Sequence, residues 1–323
     1  MQTHRRRTCL TIAALAAMAL VQPAAAQNTR PLTIVVGATP GGSTDTLARV
    51  IAQSMGTTLG RTVIVENKPG AGGNIAAQQV AKSDPSGNTL LMSFTSHTIN
   101  ATLFKKLPFD PVADFTPITM VAQVPSVLVA RKNAPFNDVA GLIDYAKKNP
   151  GKLTFAIGGQ GSSLHLAAEQ FKLATQTEIV NIPYKGTGPA LTDLLSASTV
   201  DLMFASTINV LPHYKSGGLK FLGVSSPKPL AQFDGLPAIA QTVPGYQSQA
   251  WFGLFGPAHM PKDVVDKLYG AVKVAIASPD FRKRMDSEAA TVPTMTPAQF
   301  ADFIRKDVDF WGDIVRKSGA TVE

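Results

Sequence analysis

Two stretches of the chain share one pattern: LTIVVGATPGGSTDTLARVIAQ runs from Leu32 to Gln53, and LTFAIGGQGSSLHLAAEQF runs from Leu153 to Phe171. Each begins with an apolar run rich in β-branched or aromatic residues, continues as a loop of small residues, and ends as an amphipathic helix. A helix that begins in this way points free backbone N–H groups and the positive end of its dipole at whatever lies in front of it. The pair therefore predicts two anion-binding loops, a geometry that holds a ligand.

The rest of the sequence predicts strands and helices in alternation. That order is typical of a sheet of mostly parallel strands with helices on both faces. Because each stretch opens one such set, we expect two doubly wound α/β domains with a ligand cleft between them. Two extended runs, Val121 to Val129 and Ala250 to Gly256, are the expected crossings between the domains. The predicted boundaries are 27–125 with 246–323 for the first, discontinuous domain and 126–245 for the second.

The first 26 residues predict a secretory signal peptide. Arg5 to Arg7 form a basic start, Leu10 to Val21 is a short apolar core, and Ala24 to Ala26 provide small residues for cleavage after Ala26. The core is too short for the alternative, a membrane anchor. The sequence leaves open whether export follows the general or the twin-arginine route. The only cysteine, Cys9, lies in this segment, so we expect an exported, soluble protein without disulfides or a thiol nucleophile.

The charge of the chain gives little support to a nucleic-acid partner. The formal net charge is +8, and without the three arginines of the predicted signal peptide it is about +5. The lysines are dispersed, and no stripe of interleaved basic and aromatic residues is present. No histidine pair has metal-ligand spacing on a helix, and no Gly-x-Ser-x-Gly turn occurs. We therefore expect a monomeric binding protein with no catalytic residue, metal or cofactor.

The first loop, Gly37 to Thr44, nearly matches the phosphate-binding loop of nucleotide hydrolases. Ser43 stands where that motif has its lysine, so a bound triphosphate would lack a counter-ion. The N–H groups and small hydroxyls that remain can hold a carboxylate. Because Asp45 would repel a bound anion, we expect it to cap the helix or to hold a water with its oxygens turned away. The alternative is a plain first-turn acid that is favoured by the helix dipole.

Several motifs give the chain a resemblance to a known family. They are Pro40-Gly41-Gly42-Ser43-Thr44-Asp45 with Ala48-Arg49, Glu66-Asn67-Lys68-Pro69-Gly70-Ala71-Gly72-Gly73-Asn74, Pro183-Tyr184-Lys185-Gly186, Trp251-Phe252-Gly253-Leu254-Phe255-Gly256-Pro257, and the terminal Phe310-Trp311. With these motifs the mature chain resembles the substrate-binding proteins of tripartite tricarboxylate transporters, also called Bug (Bordetella uptake gene) receptors. The resemblance implies a two-lobed periplasmic receptor of type II-like fold. Such a receptor closes on a small carboxylate and delivers it to a two-subunit membrane permease.

The resemblance also implies which residues hold the ligand. One carboxylate would be bound by main-chain amides of two loops, with ordered waters, and the pocket would be completed by residues that follow two strands. The expected site residues are Gly41, Gly42, Ser43, Thr44 and Asp45 in the first loop, Gly161, Ser162 and Ser163 in the second, Thr95, Ser96 and His97 after one strand, and Ala205, Ser206 and Thr207 after another. His97 is expected near the far end of the ligand. Tyr184, at the end of a strand of the second domain, is expected to line the cleft.

Two other classes of function stay open on the sequence alone. A hydrolase would use His97 or Ser162, whereas His165 is expected to be a structural histidine. A sensor module would hand its closed form to a membrane kinase instead of a permease. The ligand is a small organic carboxylate, and the sequence leaves di- and tricarboxylates, acidic amino acids and aromatic carboxylates as candidates.

Overall fold

The computed structural model describes residues 30–322, apart from the side chains of Ile208 and Lys215. The predicted signal peptide and its cleavage after Ala26 lie outside the described residues. Between residues 30 and 322, none of the helices combines the length and the apolar character needed to cross a membrane.

Strands and helices alternate along most of the described chain, as the periodicity predicts. The strands are β1 (Leu32–Val36), β2 (Val63–Asn67), β3 (Thr89–Phe94), β4 (Phe115–Arg131), β5 (Thr154–Ile157), β6 (Val180–Pro183), β7 (Leu202–Ser206), β8 (Leu219–Val224) and β9 (Gln249–Pro257). The helices are α1 (Ser43–Leu59), α2 (Asn74–Ala81), α3 (Ser96–Leu103), α4 (Val139–Lys148), α5 (Ser163–Thr175), α6 (Thr187–Ser196), α7 (Thr207–Ser216), α8 (Lys262–Ala277), α9 (Pro279–Ser287) and α10 (Pro297–Ser318).

The strands form one curled, mixed sheet in the order β2-β1-β3-β9-β4-β7-β5-β6, and β8 also pairs with β4. At one end β1 is parallel to β2 and β3, and at the other end β5 is parallel to β6 and β7. The central strands β4 and β9 run antiparallel to their neighbours. The predicted α/β class with two doubly wound halves is confirmed, although the middle of the sheet is antiparallel.

Strand β4 runs through both halves of the sheet, and the predicted crossing at Val121 to Val129 lies inside it. Up to Pro125 the strand pairs with β9, and from Ser126 onward it pairs with β7. The second predicted crossing, Ala250 to Gly256, lies inside β9. These two strands therefore connect the halves, while the domain boundaries themselves stay a prediction.

Apolar side chains cover both faces of each half. In the first half Ile51 of α1 belongs to the core on one face, and Val80 of α2 to the core on the other. In the second half Phe171 of α5 and Leu194 of α6 take the corresponding places. Each half is therefore a sheet between two helical layers, the arrangement that buries both of its apolar faces.

The last helix, α10, contacts helices from both halves. It begins with a capping box, in which the Thr296 hydroxyl accepts from the Gln299 N–H and the Gln299 side chain accepts from the Thr296 N–H. Further along, Trp311 packs in one apolar cluster with Leu103 of α3 and Leu166 of α5. The C-terminal part of the chain thus packs on the beginning of the second loop's helix and on the helix that follows β3.

Candidate ligand site between the two loops

A cavity of about 160 Å³ lies between the two predicted anion-binding loops. Ser43 of the first loop and Ser163 of the second both line it, so the structure brings the two loops to one hollow. The complete lining is Ser43, Val124, Pro125, Ser126, Ser163, Leu164, Ser206, Ser248, Ala250 and Phe252. None of these side chains is charged, and five of them are serines, so any ligand in this cavity meets hydroxyl and backbone groups.

Three helices begin at this cavity. Helix α1 begins at Ser43, α5 at Ser163, and α7 directly after Ser206. The N-cap of α1 is Gly42, and no side chain caps the N–H groups that follow it. Because each helix start carries a partial positive charge, three of them facing one uncharged cavity favour an anion there.

The other side of the cavity is formed by the strands that connect the halves. Val124, Pro125 and Ser126 come from β4, and Ala250 and Phe252 come from β9. The sequence pattern predicts these stretches as crossings and does not place them in the site. The crossing itself could have placed them there, because a strand that passes between two lobes must also form the floor of any cleft between them.

Asp45 fixes the first loop through a hydrogen bond. Gly41 has a left-handed backbone (φ 84°), and its N–H donates to Asp45 Oδ2 at 2.9 Å. Arg49 contacts both carboxylate oxygens, at 3.0 Å and 2.9 Å, and Asn67 donates to Oδ1 at 2.9 Å. The hydrogen bond from Arg49, with those from Gly41 and Asn67, outweighs burial and lowers the pKa of Asp45 to about 2. Asp45 does not line the cavity, and both of its carboxylate oxygens contact Gly41, Arg49 or Asn67, so it acts on the loop.

His165 fixes the second loop through a hydrogen bond. Gly161 is also left-handed (φ 73°), and its N–H donates to His165 Nδ1 at 3.1 Å. On the other side of the ring, Nε2 lies 3.6 Å from Glu169 Oε1. Burial raises the pKa of Glu169, but hydrogen bonds from His165, Lys172 and Asn181 outweigh it, and the pKa falls to about 2. His165 is therefore the structural histidine that the sequence predicted, with a defined partner at each nitrogen.

The residues that follow β3 do not line the cavity. His97 is 4% exposed, stacks on Phe255 and contacts Phe115, and its Nε2 lies 2.8 Å from the Pro111 carbonyl oxygen. Burial lowers the pKa of His97 to about 4, so the ring is neutral at ordinary pH. The ring belongs to an aromatic core, and the expected place of His97 near the far end of a ligand stays a prediction.

Thr95 and Ser96 are also interior residues, and their place in the ligand site stays a prediction. Thr95 Oγ1 accepts from the Trp251 N–H at 2.8 Å, which ties the end of β3 to β9. Both residues are buried, and neither lines the cavity. A threonine that follows a strand can bind a ligand or fasten a neighbouring strand, and sequence pattern does not separate the two uses.

Of the remaining predicted residues, Ser206 lines the cavity and its neighbours do not. Ala205 is buried in the second half's core, and Thr207 Oγ1 donates to the Glu288 carbonyl oxygen at 2.7 Å. The Tyr184 hydroxyl donates to Asp193, and Tyr184 is not among the residues that line this cavity, so its place in the cleft stays a prediction. Burial and the Asp193 carboxylate raise the pKa of Tyr184 to about 12, so the phenol keeps its proton at neutral pH.

The contacts in the site give no support to a hydrolase. The Ser162 hydroxyl donates to the Gly159 carbonyl oxygen at 2.7 Å and accepts from the His165 N–H, so it caps α5. His97 lies in the core, and His165 uses its ring to hold the Gly161 N–H. Across residues 30–322, no group of three His, Cys, Asp or Glu side chains is arranged to hold a metal ion.

Comparison with known proteins extends these observations. A family model described as the tripartite tricarboxylate transporter family receptor matches residues 47–320. The periplasmic binding protein BugD is 36% identical, with a TM-score of 0.76 over 90% of this chain and 98% of that one. R. palustris Rpa4515, solved with adipate, is 32% identical, with a TM-score of 0.79 over 91% and 99%. MatC from Rhodopseudomonas palustris, solved with malate, is 33% identical, with a TM-score of 0.76 over 89% and 99%.

Proposed function

Because this chain belongs to the tripartite tricarboxylate transporter receptor family, we propose that it captures a small organic carboxylate between its lobes and delivers it to a tripartite tricarboxylate-type permease. The family consists of solute-binding receptors, and the chain shares the type II-like two-lobed fold of periplasmic binding proteins. We also propose that the chain is exported to the periplasm, with cleavage after Ala26. The boundaries between its lobes are proposed at 125/126 and 245/246, as the sequence predicts.

The observation that supports this function best is the convergence of three helix starts on one uncharged cavity. Backbone N–H groups and serine hydroxyls can compensate a carboxylate without a basic side chain. Hydrogen bonds to a charged group contribute roughly 1.5–3 kcal/mol each when they are well aligned. Three or four of them, less the cost of ordering the ligand, are compatible with micromolar affinity, roughly −8 kcal/mol.

The lining narrows the class of carboxylate. An acidic amino acid brings an ammonium group, and no acidic side chain lines the cavity to pair with it. Two similar proteins were solved with malate and adipate, which are dicarboxylates. We therefore propose a short dicarboxylate as the ligand, with one carboxylate at the helix starts and the other towards the cavity mouth.

A thermal-shift screen tests the proposal. Malate, adipate and related dicarboxylates should raise the melting temperature of the purified mature chain, because a ligand that binds only the folded state stabilises it. Their dimethyl esters, which keep the shape and lose the charge, should not. Equal stabilisation by acid and ester would contradict a site built for an anion. Delivery is tested by uptake of the stabilising acid in cells that lack this protein, where unchanged uptake would contradict a transport role.

A further inference from the structure

The two ligand loops are held by the same device. In each loop a left-handed glycine donates its N–H to a side chain four residues later, Gly41 to Asp45 and Gly161 to His165. The accepting atoms, Asp Oδ2 and His Nδ1, are both bonded to Cγ and so reach equally far from the backbone. Gly161 lies 120 residues after Gly41, and His165 lies 120 residues after Asp45. The same contact therefore recurs at equivalent places in the two halves of the protein.

Each acceptor also has a charged partner on its own helix, but the sign of that charge differs between the two halves. Four residues further along the helix stands Arg49 in the first half and Glu169 in the second. The next strand contributes an asparagine in both cases. Asn67 of β2 donates to Asp45 at 2.9 Å, and Asn181 of β6 lies 3.4 Å from His165 Nε2. In the first loop the acceptor is an anion that is paired with a cation. In the second loop the acceptor is an imidazole that is paired with an anion.

This contact sets the direction of the loop. By accepting the glycine N–H, Asp45 or His165 fixes the backbone two residues before the helix begins. The residues that follow, Ser43 and Ser163, then line the cavity at the start of their helices. Preorganised N–H donors bind an anion better than mobile ones, because the cost of ordering them has been met on folding.

We propose that Asp45 and His165 are paired positioning residues, one for each ligand loop, and that carboxylate binding depends on an acceptor for the glycine N–H at both positions. This inference rests on the proposed function, because it assigns the two loops to one carboxylate site.

The chemistry of the two side chains explains how each one accepts the glycine N–H. Nδ1 of His165 can accept the Gly161 N–H only while it carries no proton, so the neutral ring carries its proton on Nε2, towards Glu169. Both oxygens of the Asp45 carboxylate accept, and its pKa of about 2 keeps it ionised at neutral pH.

Several charged groups surround His165. On its own helix these are Glu169 and Lys172, whose Nζ lies 2.7 Å from Glu169 Oε1. Glu178, which precedes β6, and Lys317 of α10 line the same surface pocket as Glu169.

The first experiment compares the two glycine amides by NMR in the ligand-free mature protein, in wild type, H165N and H165L. In H165N the amide oxygen replaces Nδ1 as an acceptor, so the Gly161 amide resonance should stay close to its wild-type position. In H165L no acceptor remains, so the Gly161 resonance should move and its amide hydrogen should exchange faster, while the Gly41 resonance, held by Asp45, should not change. A Gly161 amide that is unchanged in H165L, or that is disturbed equally in H165N and H165L, would overturn the inference whatever the protein binds.

The second experiment measures malate affinity in the same three proteins. H165L, which offers no acceptor, should bind malate roughly 5-fold or more weakly than wild type, about 1 kcal/mol, which is the net contribution of one hydrogen bond. H165N, which keeps an acceptor at the same distance from the backbone, should lose less than 2-fold. Equal losses in H165L and H165N would contradict the positioning role of His165.

The two experiments separate this inference from the proposed function. If malate and its analogues do not bind wild type, the proposed ligand class is wrong, and the NMR comparison still decides whether His165 holds the Gly161 amide. If malate binds but the Gly161 amide is the same in wild type and H165L, the receptor function stands and the positioning role of His165 falls.

Discussion

Replacing Ser43 with aspartate should weaken dicarboxylate binding roughly 100-fold or more. Ser43 lines the cavity at the first residue of α1, where a ligand carboxylate would meet the N–H groups of that helix. Two unit charges ~4 Å apart repel by about 4 kcal/mol at an effective dielectric constant of ~20. Even if relaxation and water remove a third of this, about 2.7 kcal/mol remains, which is a factor of 100. Titration calorimetry with the acid that stabilises the protein most measures the effect.

Two control variants separate the effect of the new charge from an effect on folding and from the loss of one hydroxyl contact. An acid in the first turn of a helix is favoured by the dipole, so S43D should fold. A298D places the same charge in the first turn of α10, away from the cavity lining, and should bind as wild type does. S43A removes only the hydroxyl and should cost no more than about 10-fold. If S43D bound as tightly as S43A, the carboxylate would not lie at the start of α1.

The local sequence was sufficient to predict the strand–loop–helix units and their use as anion-binding loops. Small residues between an apolar run and an amphipathic helix restrict the backbone to few conformations, and Gly41 and Gly161 take the left-handed one. Because both loops follow parallel strands, they meet at the same side of their sheets. The cavity between Ser43 and Ser163 follows from those two facts.

Long-range packing was not predictable from the same patterns. His97 follows a strand and begins a helix, as a ligand-binding residue would, yet it packs against Phe115 and Phe255. Phe255 lies in β9, far away in sequence, so the pairing of β3 with β9 decides where His97 lies. Likewise, the partner of Asp45 could be read from the spacing to Arg49, but Asn67 comes from a neighbouring strand. Residues whose role depends on strand order are the ones that sequence periodicity does not place.

A half-buried aspartate, Asp307, connects the last helix to the rest of the first half. Its Oδ2 accepts from Thr98 Oγ1 of α3 at 2.6 Å and from Trp251 Nε1 of β9 at 2.7 Å. Burial raises the pKa of Asp307 to about 6, and these two donors offset only part of that effect. The folded protein therefore binds this proton more tightly than the unfolded chain, in which an aspartate has its ordinary pKa of 3.8.

Replacing Asp307 with asparagine should stabilise the protein at pH 8 but not at pH 4. Because the folded-state pKa is raised, the unfolding free energy of wild type falls as pH rises from about 4 to about 6 and stays lower above that. A shift of about two units corresponds to about 3 kcal/mol. Asp307 also lines an open cavity of about 490 Å³, where solvent screens its charge, so we expect about 2 kcal/mol. Asparagine keeps an oxygen for Thr98 and Trp251 and never ionises, so D307N should lack this part of the pH dependence.

Urea unfolding of wild type and D307N at pH 4, 6 and 8 measures the difference, since all other titrating groups are common to both proteins. The advantage of D307N should be near zero at pH 4 and should reach its full value above pH 6. D309N, which removes the same charge from an exposed position of the same helix, should follow the wild-type curve. A constant difference between wild type and D307N at all three pH values would mean that the side chain matters through its shape and hydrogen bonds, and that its proton does not contribute to the stability of the fold.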